Sequence, residues 1–300
     1  MVQLLGRQIV KSTYIGISGG YGQIYDLLFI GIVRLAGVSL YIHHDSFAYL
    51  GRARLLTSAV IKLAGSRATH IVLCAAMAER LQELYPSARR TVVISNVTNT
   101  YEPKSPPRMR VQLNSIGLFS NLTRAKGVLE FLDVADQVCA VRPELRALLA
   151  GPVEEPALES ILRERLRSGS PVEYVGPIYG DAKDRFLREL DVLILPTNYV
   201  HEAEPKVIAE ALAYGLVVIA RERGCIGSLL SAGRGVAIPD SLDFVSTAKG
   251  LLLEWSLSNE AFASLSDSAL RSYQDLRGEQ SGGLNELISE MAGTTTIDSP

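Results

Sequence analysis

The stretch DVLILPTNYVHEAEPKVIAEALAYGLVVIA, residues 191–220, contains the pattern that decides the fold. Two continuous apolar runs, residues 192–195 and 217–220, enclose a segment with helical periodicity. Apolar strands joined by a helix are typical of parallel sheets that helices cover on both faces. Pro205 suits the first turn of the helix, because its missing N–H would be unpaired there anyway. The stretch therefore predicts a strand–helix–strand unit.

One residue of this helix, Glu210, lies in a segment that is otherwise apolar, residues 207–213. A helix that is apolar on every side is normally buried, and a buried carboxylate is costly unless groups around it donate hydrogen bonds. Glu210 therefore needs a partner. Two candidates stay open from these residues alone: an internal arginine, or a pair of hydroxyl groups on a ligand.

Strands and helices alternate in the same way through the whole chain of 300 residues. We expect an α/β protein with two Rossmann-like, doubly wound parallel-sheet domains, of which the first is incomplete. The proline-rich segment 101–108 is the expected linker, because three prolines in six residues interrupt helices and strands. The expected parts are an N-terminal domain over 1–104, a second domain over 105–275, and a C-terminal helix with a frayed tail over 276–300. The predicted strands are 13–17, 40–43, 71–73, 92–94, 115–119, 147–150, 172–175, 192–195, 217–220 and 236–238.

Charge is distributed unevenly along the chain. Residues 1–108 carry 12 basic and 5 acidic side chains, whereas residues 109–300 carry 18 and 27. A basic first half suggests contact with something anionic, such as a membrane surface, or a solvated surface with no partner. No apolar run is long enough to cross a bilayer, and we find no secretory signal. We therefore expect a cytoplasmic location, which includes the inner face of the membrane.

Loops at the ends of predicted strands carry the candidate binding groups. The loop of residues 120–127 enters a helix and brings Lys126 within reach of an anion. The helix that begins near Pro205 and Lys206 directs its positive end toward the same ligand. One geometry uses these parts together, with a diphosphate at the helix N-terminus, a ribose on Glu210 and a sugar near Glu202.

Several of these segments together resemble a known family. Glu202 and Glu210, separated by seven residues and followed by ALAYGLVVIA at 211–220, resemble the donor-sugar signature of family 4 retaining glycosyltransferases of GT-B fold. Residues 121–127 are similar to that family's phosphate loop, and residues 191–196 are similar to the strand before the signature. The resemblance covers roughly residues 110–275. In the first half, the segment Tyr41–Asp45 resembles the one whose histidine faces the transferred sugar.

The resemblance implies that a hexose-type sugar moves from a UDP-sugar or GDP-sugar to a hydroxyl acceptor with retention, in polysaccharide or glycoconjugate biosynthesis. It implies no cofactor and, without an Asp-x-Asp after a strand, no metal. The expected partners are the donor, a saccharide or lipid-linked acceptor and an anionic membrane, but no nucleic acid. The residues implied as catalytic are Glu202, Lys126 and His44, and those implied in donor binding are Glu210, Lys126, Arg124, Asn121, Gly127, Pro205 and Lys206.

The sequence departs from the family at two places. Asn121 stands where the phosphate loop often carries an arginine, and Arg124 is the expected substitute. Further strand–helix units normally precede the region that matches residues 13–45. We therefore expect slow transfer unless an upstream segment, a partner or self-association completes the first domain.

Two other functions are compatible with the sequence. A glycosyltransferase-like subunit could hold a nucleotide or a partner without catalysis, as the short first domain suggests. A nicotinamide-dependent oxidoreductase is the second alternative, because Gly20-Tyr21-Gly22 follows a strand and precedes a helix, with Asp45 at the end of the next strand. Its fingerprint requires a small residue where this chain has Tyr25.

Overall fold

The computed structural model describes residues 10–100, 103–104, 106–167 and 169–293. It divides into two compact units, each built on a parallel sheet. Of the described residues, the first unit takes those within Met1–Thr98, Val200–Glu204 and Arg277–Pro300, and the second unit takes the rest. The α/β class with two parallel sheets, as predicted, is confirmed.

The first unit has four parallel strands in the order β1-β2-β3-β4 among its described residues. Each strand is followed by a helix or turn that leads to its neighbour, as right-handed crossovers require. Helix α2, Leu55–Ala64, follows an exposed loop of residues 51–54. The elements are β1 Ser12–Gly16, α1 Gln23–Leu35, β2 Ser39–His43, α2 Leu55–Ala64, β3 Thr69–Val72, α3 Ala75–Leu84 and β4 Arg90–Val93.

The part of the second unit that the structure describes has six parallel strands in the order β7-β6-β5-β8-β9-β10. This is the strand order of a Rossmann fold, and all six strands lie within about two residues of their predicted bounds. The elements are β5 Ser115–Phe119, α4 Val128–Cys139, β6 Arg146–Ala150, α5 Pro156–Arg165, β7 Val172–Gly176, α6 Gly180–Glu189, β8 Val192–Leu195, α7 Lys206–Ala213, β9 Val217–Arg221, α8 Ile226–Leu230, β10 Val236–Ile238, α9 Phe244–Trp255 and α10 Asn259–Ala292.

The core of the second unit lies between the sheet and its helices. It is made of buried aliphatic strand residues, such as Ile116 and Ile194, and of aromatic residues from α4, α9 and α10. Asp191 joins the starts of the two central strands, since its carboxylate accepts hydrogen bonds from the backbone N–H groups of Asn114 (2.9 Å) and Ser115 (3.0 Å). This bond holds β5 and β8 in register where they enter the sheet.

Helix α10 is longer than the C-terminal helix predicted over 276–300, since it already begins at Asn259. Its last turns, from Arg277 onward, belong to the first unit, where Leu287 lies against Tyr41, Ile71 and Ile94. The Tyr41 hydroxyl donates a 2.7 Å hydrogen bond to Glu290. The predicted tail beyond Gly293 lies outside the described residues, as do residues 101, 102 and 105 of the predicted linker.

Candidate active site

The second sheet defines one place where a ligand is expected. Strand β5 has β6 on one side and β8 on the other, so the connections that leave β5 and β8 run in opposite directions. In open α/β sheets, ligands bind at this switch point, outside the carboxyl ends of the strands. The loops concerned are residues 120–127 after β5 and the segment that begins at Pro196 after β8.

These two loops are joined to each other. The backbone N–H of Asn198 donates a 2.7 Å hydrogen bond to the carbonyl of Ala125. Gly127 has a φ of 78°, and a Cβ atom at this position would lie 2.3 Å from the carbonyl oxygen of Pro196. Only glycine meets both conditions, because it tolerates positive φ and close backbone approach. The structure therefore fixes the end of the predicted phosphate loop against the β8 loop.

Lys126 lies at this joint, immediately before α4. The hydroxyl of Thr123 accepts a hydrogen bond from the Lys126 backbone N–H (3.1 Å), which forms the tight turn. Its Nζ atom lies 5.2 Å from the centre of the Tyr199 ring, a cation–π distance. The side chain is thus held at the switch point, where the sequence predicts it to meet an anion.

Asn121 and Arg124 point to a different neighbour. The side-chain amide of Asn121 donates a 2.6 Å hydrogen bond to Glu154. The guanidinium of Arg124 lies 4.0 Å from the carboxylate of Glu155, which also accepts a hydrogen bond from the Arg124 backbone N–H. Both acidic residues belong to the loop after β6. The sequence did not anticipate these carboxylates, and they leave Lys126 as the main cation of this loop.

Helix α7 begins at the second loop. Pro205 is the residue just before the helix, with an extended ψ of 118°, one position earlier than predicted. Lys206 is the first helical residue and is exposed. A helix N-terminus carries a partial positive charge and unpaired N–H groups. This end of α7 can therefore receive an anionic group.

Glu210 is buried in α7, and its partner is a lysine. The Nζ atom of Lys183, on α6, lies 2.5 Å from Oε1 of Glu210. Lys183 also lies over the ring of Phe119, at 5.6 Å from its centre, where β5 ends. The sequence left an arginine or a ligand as alternatives, and it did not identify Lys183. The cation supplied by α6 makes the buried carboxylate tolerable and places it beside the end of β5.

Glu202 and Glu204 belong to the first unit, with the other residues of Val200–Glu204. Both are buried. The hydroxyl of Ser95 donates a hydrogen bond to Oε1 of Glu204, and the Asn96 side chain donates one to its backbone carbonyl at 2.8 Å. Burial raises the pKa of Glu204 to about 7. Sequence analysis did not select Glu204, although this residue directly precedes Pro205 and is the second glutamate of residues 200–204.

His44 is fully buried in the first unit. Its Nδ1 atom lies 3.1 Å from the hydroxyl of Tyr49, and its Nε2 atom lies 3.0 Å from Nδ1 of His70. Burial, and after it the neighbouring His70, lowers the pKa of His44 well below its ordinary value. The ring is therefore neutral and fixed in orientation. Its catalytic role stays a prediction.

A pocket of about 710 Å³ opens in the first unit. It follows the carboxyl ends of β1 and β2, because most of residues 20–23 and 48–57 line it together with His201. Its polar groups include Arg52, Arg54 and Thr57. The pocket therefore offers both cations and apolar surface to a ligand.

The turn after β1 argues against the dinucleotide alternative. The carboxylate of Asp26 accepts hydrogen bonds from the backbone N–H (2.8 Å) and the hydroxyl (3.0 Å) of Ser18. A dinucleotide-binding turn keeps its amides for a phosphate. Here a carboxylate of the chain itself lies against this turn. Tyr25, at the position where the fingerprint requires a small residue, is exposed.

Within the residues that the structure describes, no three His, Cys, Asp or Glu side chains are grouped closely enough to hold a metal ion. None of the helices in these ranges has the length and hydropathy of a membrane span.

Comparisons with known proteins agree on the class. Residues 114–254 match the family model of glycosyl transferases group 1. Over 262 residues the chain is 24% identical to the phosphatidylinositol N-acetylglucosaminyltransferase gpi3 subunit of Schizosaccharomyces pombe, an alignment that covers 83% of this chain and 56% of the relative. The chain therefore spans little more than half the length of that protein.

Solved structures show the same fold. Anabaena Alr3699/HepE in complex with UDP has a TM-score of 0.76 and 17% identity, with 96% of this chain and 82% of that chain covered. A variant of S. aureus TarM, in complex with Fondaparinux, alpha-GlcNAc-glycerol and UDP, has a TM-score of 0.65 and 15% identity, with 85% and 51% covered. The fold is thus that of the GT-B glycosyltransferases, as predicted.

Proposed function

We propose that this protein is a retaining glycosyltransferase that moves a sugar from a nucleoside-diphosphate sugar to a hydroxyl acceptor. The observation that carries the proposal is the switch point of the second sheet. There the loop that bears Lys126 is hydrogen-bonded to the loop that leads to α7 and Glu210. A cation, a helix N-terminus and a buried carboxylate are the groups that a nucleoside diphosphate needs.

In this proposal Glu210 binds the ribose of the donor. Its two oxygens can accept hydrogen bonds from two hydroxyl groups, and charge-assisted hydrogen bonds are stronger than neutral ones. Lys183 holds this carboxylate in its orientation from the α6 side. The solved structure of HepE contains UDP, and another of the same protein contains UDP-glucose, which favours a UDP-sugar over a GDP-sugar here.

Lys126 and the N-terminus of α7 stabilise the leaving diphosphate. The bond between the anomeric carbon and the diphosphate oxygen breaks, a bond to the acceptor oxygen forms on the same face, and the acceptor proton passes to the leaving oxygen. Preorganised cations and dipoles at developing negative charge lower the barrier of such a step. Asn121, Arg124, Gly127, Pro205 and Lys206 complete the proposed donor site.

Two residues of the first unit take roles in the proposal that rest on the resemblance. Glu202 and His44 are assigned to the transferred sugar. Because burial keeps the His44 ring neutral, His44 would act as a hydrogen-bonding group rather than as a cation. The pocket of the first unit is the proposed acceptor site, and its arginines favour a saccharide or lipid-linked acceptor that carries negative charge.

A second candidate function is a subunit that binds the nucleotide and transfers sugar slowly or not at all. It is favoured by the gpi3 relative, which is named as a subunit and of which this chain covers 56%. In that case the chain would need a partner or a second copy for full activity. Both candidates place the protein in polysaccharide or glycoconjugate biosynthesis, in the cytoplasm or on the inner face of the membrane.

The test combines a binding panel with a transfer assay. Titration calorimetry of the chain with UDP, GDP, UDP-sugars and NADH should show binding of one nucleoside diphosphate and none of NADH. Transfer of labelled sugar to saccharide and lipid-linked acceptors then separates the two candidates, with and without an extension of the chain upstream in its reading frame. Binding without transfer in either form supports the subunit. NADH binding in preference to every sugar nucleotide rejects both.

A further inference from the structure

Helix α1 exposes a stripe of apolar side chains, which we call the α1 stripe. Its members follow each other at intervals of four and three positions, so they lie on one face of the helix and the turn before it. Leu28 is 65% exposed and Leu35 is 92% exposed. An amphipathic helix normally turns such a row toward the core. The α1 stripe consists of Tyr21, Tyr25, Leu28, Ile32 and Leu35.

The apolar surface continues onto α2. A Cβ atom at Gly31 of α1 would lie 3.9 Å from the side chain of Leu63, which is itself exposed on α2. Leu55, at the start of α2, is 92% exposed. Tyr21 and Leu55 also line the pocket of the first unit. One apolar surface therefore connects the stripe with the mouth of the proposed acceptor pocket.

The exposed charges of α1, of α2 and of the residues that flank α2 have one sign. Residues 51–67 contain four basic residues and no acidic residue. In α1 the single acidic residue, Asp26, is buried and bonded to Ser18. None of the basic residues forms an ion pair with a described residue. The exposed cations of the two helices and their flanks are Arg34, Arg52, Arg54, Lys62 and Arg67.

An apolar stripe flanked by cations alone is complementary to a surface that is both apolar and anionic. A folded partner could cover the stripe but would need its own acidic rim, whereas a bilayer with anionic lipids supplies both properties together. Tyrosines are also suited to the headgroup region, since one end of the ring is apolar and the other polar. The five residues of the α1 stripe and Leu55 form the contact.

We propose that the α1 stripe, with the adjoining cations of α2, docks the first unit on an anionic lipid bilayer. This inference deepens the proposed function and rests on it for its consequence, since a lipid-linked acceptor would reach the pocket from the docked side. Docking itself does not depend on transfer and can be measured alone.

The test is co-sedimentation of the full chain with vesicles of phosphatidylcholine, alone or mixed with phosphatidylglycerol, at low and high salt. The chain should sediment with the anionic vesicles and be released by salt. Leu28→Glu with Leu35→Glu should abolish binding. Lys62→Gln with Arg67→Gln should weaken it by about fivefold per charge, which corresponds to about 1 kcal/mol for each basic residue. Leu257→Glu, at an 87% exposed site of the second unit, is the matched control and should leave binding unchanged.

Melting curves, light scattering and UDP affinity of the same samples complete the test. Because Leu28 and Leu35 are exposed, their substitution should leave folding and UDP affinity unchanged. Equal binding to neutral and anionic vesicles, or none to either, overturns the proposal. The proposal is also overturned if the chain binds no vesicles but changes from dimer to monomer when the α1 stripe is substituted. Failure of the proposed function is seen separately, as vesicle binding without any UDP binding.

Discussion

The ammonium group of Lys183 lies 2.5 Å from Oε1 of Glu210, which joins α6 to α7 beside the carboxyl end of β5. The exposed fractions of the two side chains are 24% and 12%, so water reaches the pair only in part. In the proposed function, Glu210 is therefore both an ion-pair partner within the fold and a residue that binds the donor. Its two roles can be separated by experiment.

Glu210→Gln should weaken nucleotide binding and leave the fold intact. The amide keeps the volume of the side chain but loses the charge-assisted acceptor, so we expect a loss of about 1.5 to 3 kcal/mol in UDP affinity by calorimetry. Glu164→Gln, a change at an exposed glutamate of α5, is the control. Unchanged affinity together with a collapsed melting temperature would show that Glu210 acts only as an ion-pair partner.

A double-mutant cycle of Lys183→Met and Glu210→Gln should show a coupling free energy of about 1 to 3 kcal/mol in urea unfolding. This range lies between values for exposed and buried pairs, because both side chains are largely removed from water. The pair of Arg163 and Glu159, with side chains 75% and 62% exposed, should give less than about 1 kcal/mol. Similar coupling free energies in the two cycles would contradict the expectation that burial strengthens the pair of Lys183 and Glu210.

Lys126→Ala should lower turnover more than donor affinity. A cation that meets charge developing on the leaving group contributes about 10² to 10³ in rate, while the ground-state donor retains its contacts with Glu210. Steady-state rates and the Kd for the donor should be measured on the same samples. Lys249→Ala on α9 serves as control. Equal losses in rate and affinity argue against a leaving-group role.

Gly127→Ala should destabilise the second unit by about 2 to 5 kcal/mol in urea unfolding, because it combines a strained φ with a collision against Pro196. Gly250→Ala is a matched change inside α9, where a Cβ atom meets nothing within 4 Å. That variant should be neutral or more stable by about 0.5 to 1 kcal/mol. A tolerated alanine at position 127 means that the two loops are not held together as described.

The stability of the first unit should depend on Glu204 between about pH 4.5 and 7. Burial raises the pKa of this carboxyl from 4.5 to about 7, so the folded state binds its proton more tightly than the unfolded state. The contribution is fully present below pH 4.5 and is lost as the pH rises through 7, by about 3 kcal/mol.

Glu204→Gln removes the titrating group, so the free energy of unfolding of the variant relative to the wild type should rise across this pH range. Urea unfolding at several pH values measures the difference. Glu79→Gln, at an exposed glutamate of α3, should show no such trend. A constant difference between Glu204→Gln and the wild type at all pH values rejects the raised pKa.

Local pattern was enough to predict the strands but not the partners of their side chains. The apolar runs at 115–119 and 192–195 coincide with β5 and β8, because continuous apolar segments between helices have few other structures available. The sequence did not identify Lys183, because its pairing with Glu210 depends on how α6 and α7 pack around the folded sheet. The same holds for His44, whose position between Tyr49 and His70 requires β3 beside β2.

The carboxylates of Glu154 and Glu155 show a second limit of sequence reasoning. The phosphate loop was read as a source of cations, and Arg124 as a replacement for a missing arginine. The structure instead brings the loop after β6 against the loop after β5, since Leu122 donates a 2.7 Å hydrogen bond to Pro152. Backbone pairing between two loops leaves no signal in composition or periodicity, yet it decides which side chains meet.

The order of strands in the second sheet also has a consequence for how the chain folds. Ile116 of β5 pairs with Val192 of β8, although two complete strand–helix units lie between them in sequence. Pairings between residues so distant along the chain form slowly, because the long intervening segment loses entropy before the new contacts can stabilise it. A nascent chain that ends before β8 would carry β5 with one hydrogen-bonding edge uncovered, so it is an aggregation hazard during synthesis. Fragments of this protein that end before β8 should therefore aggregate in solution and depend on chaperones more than longer fragments do.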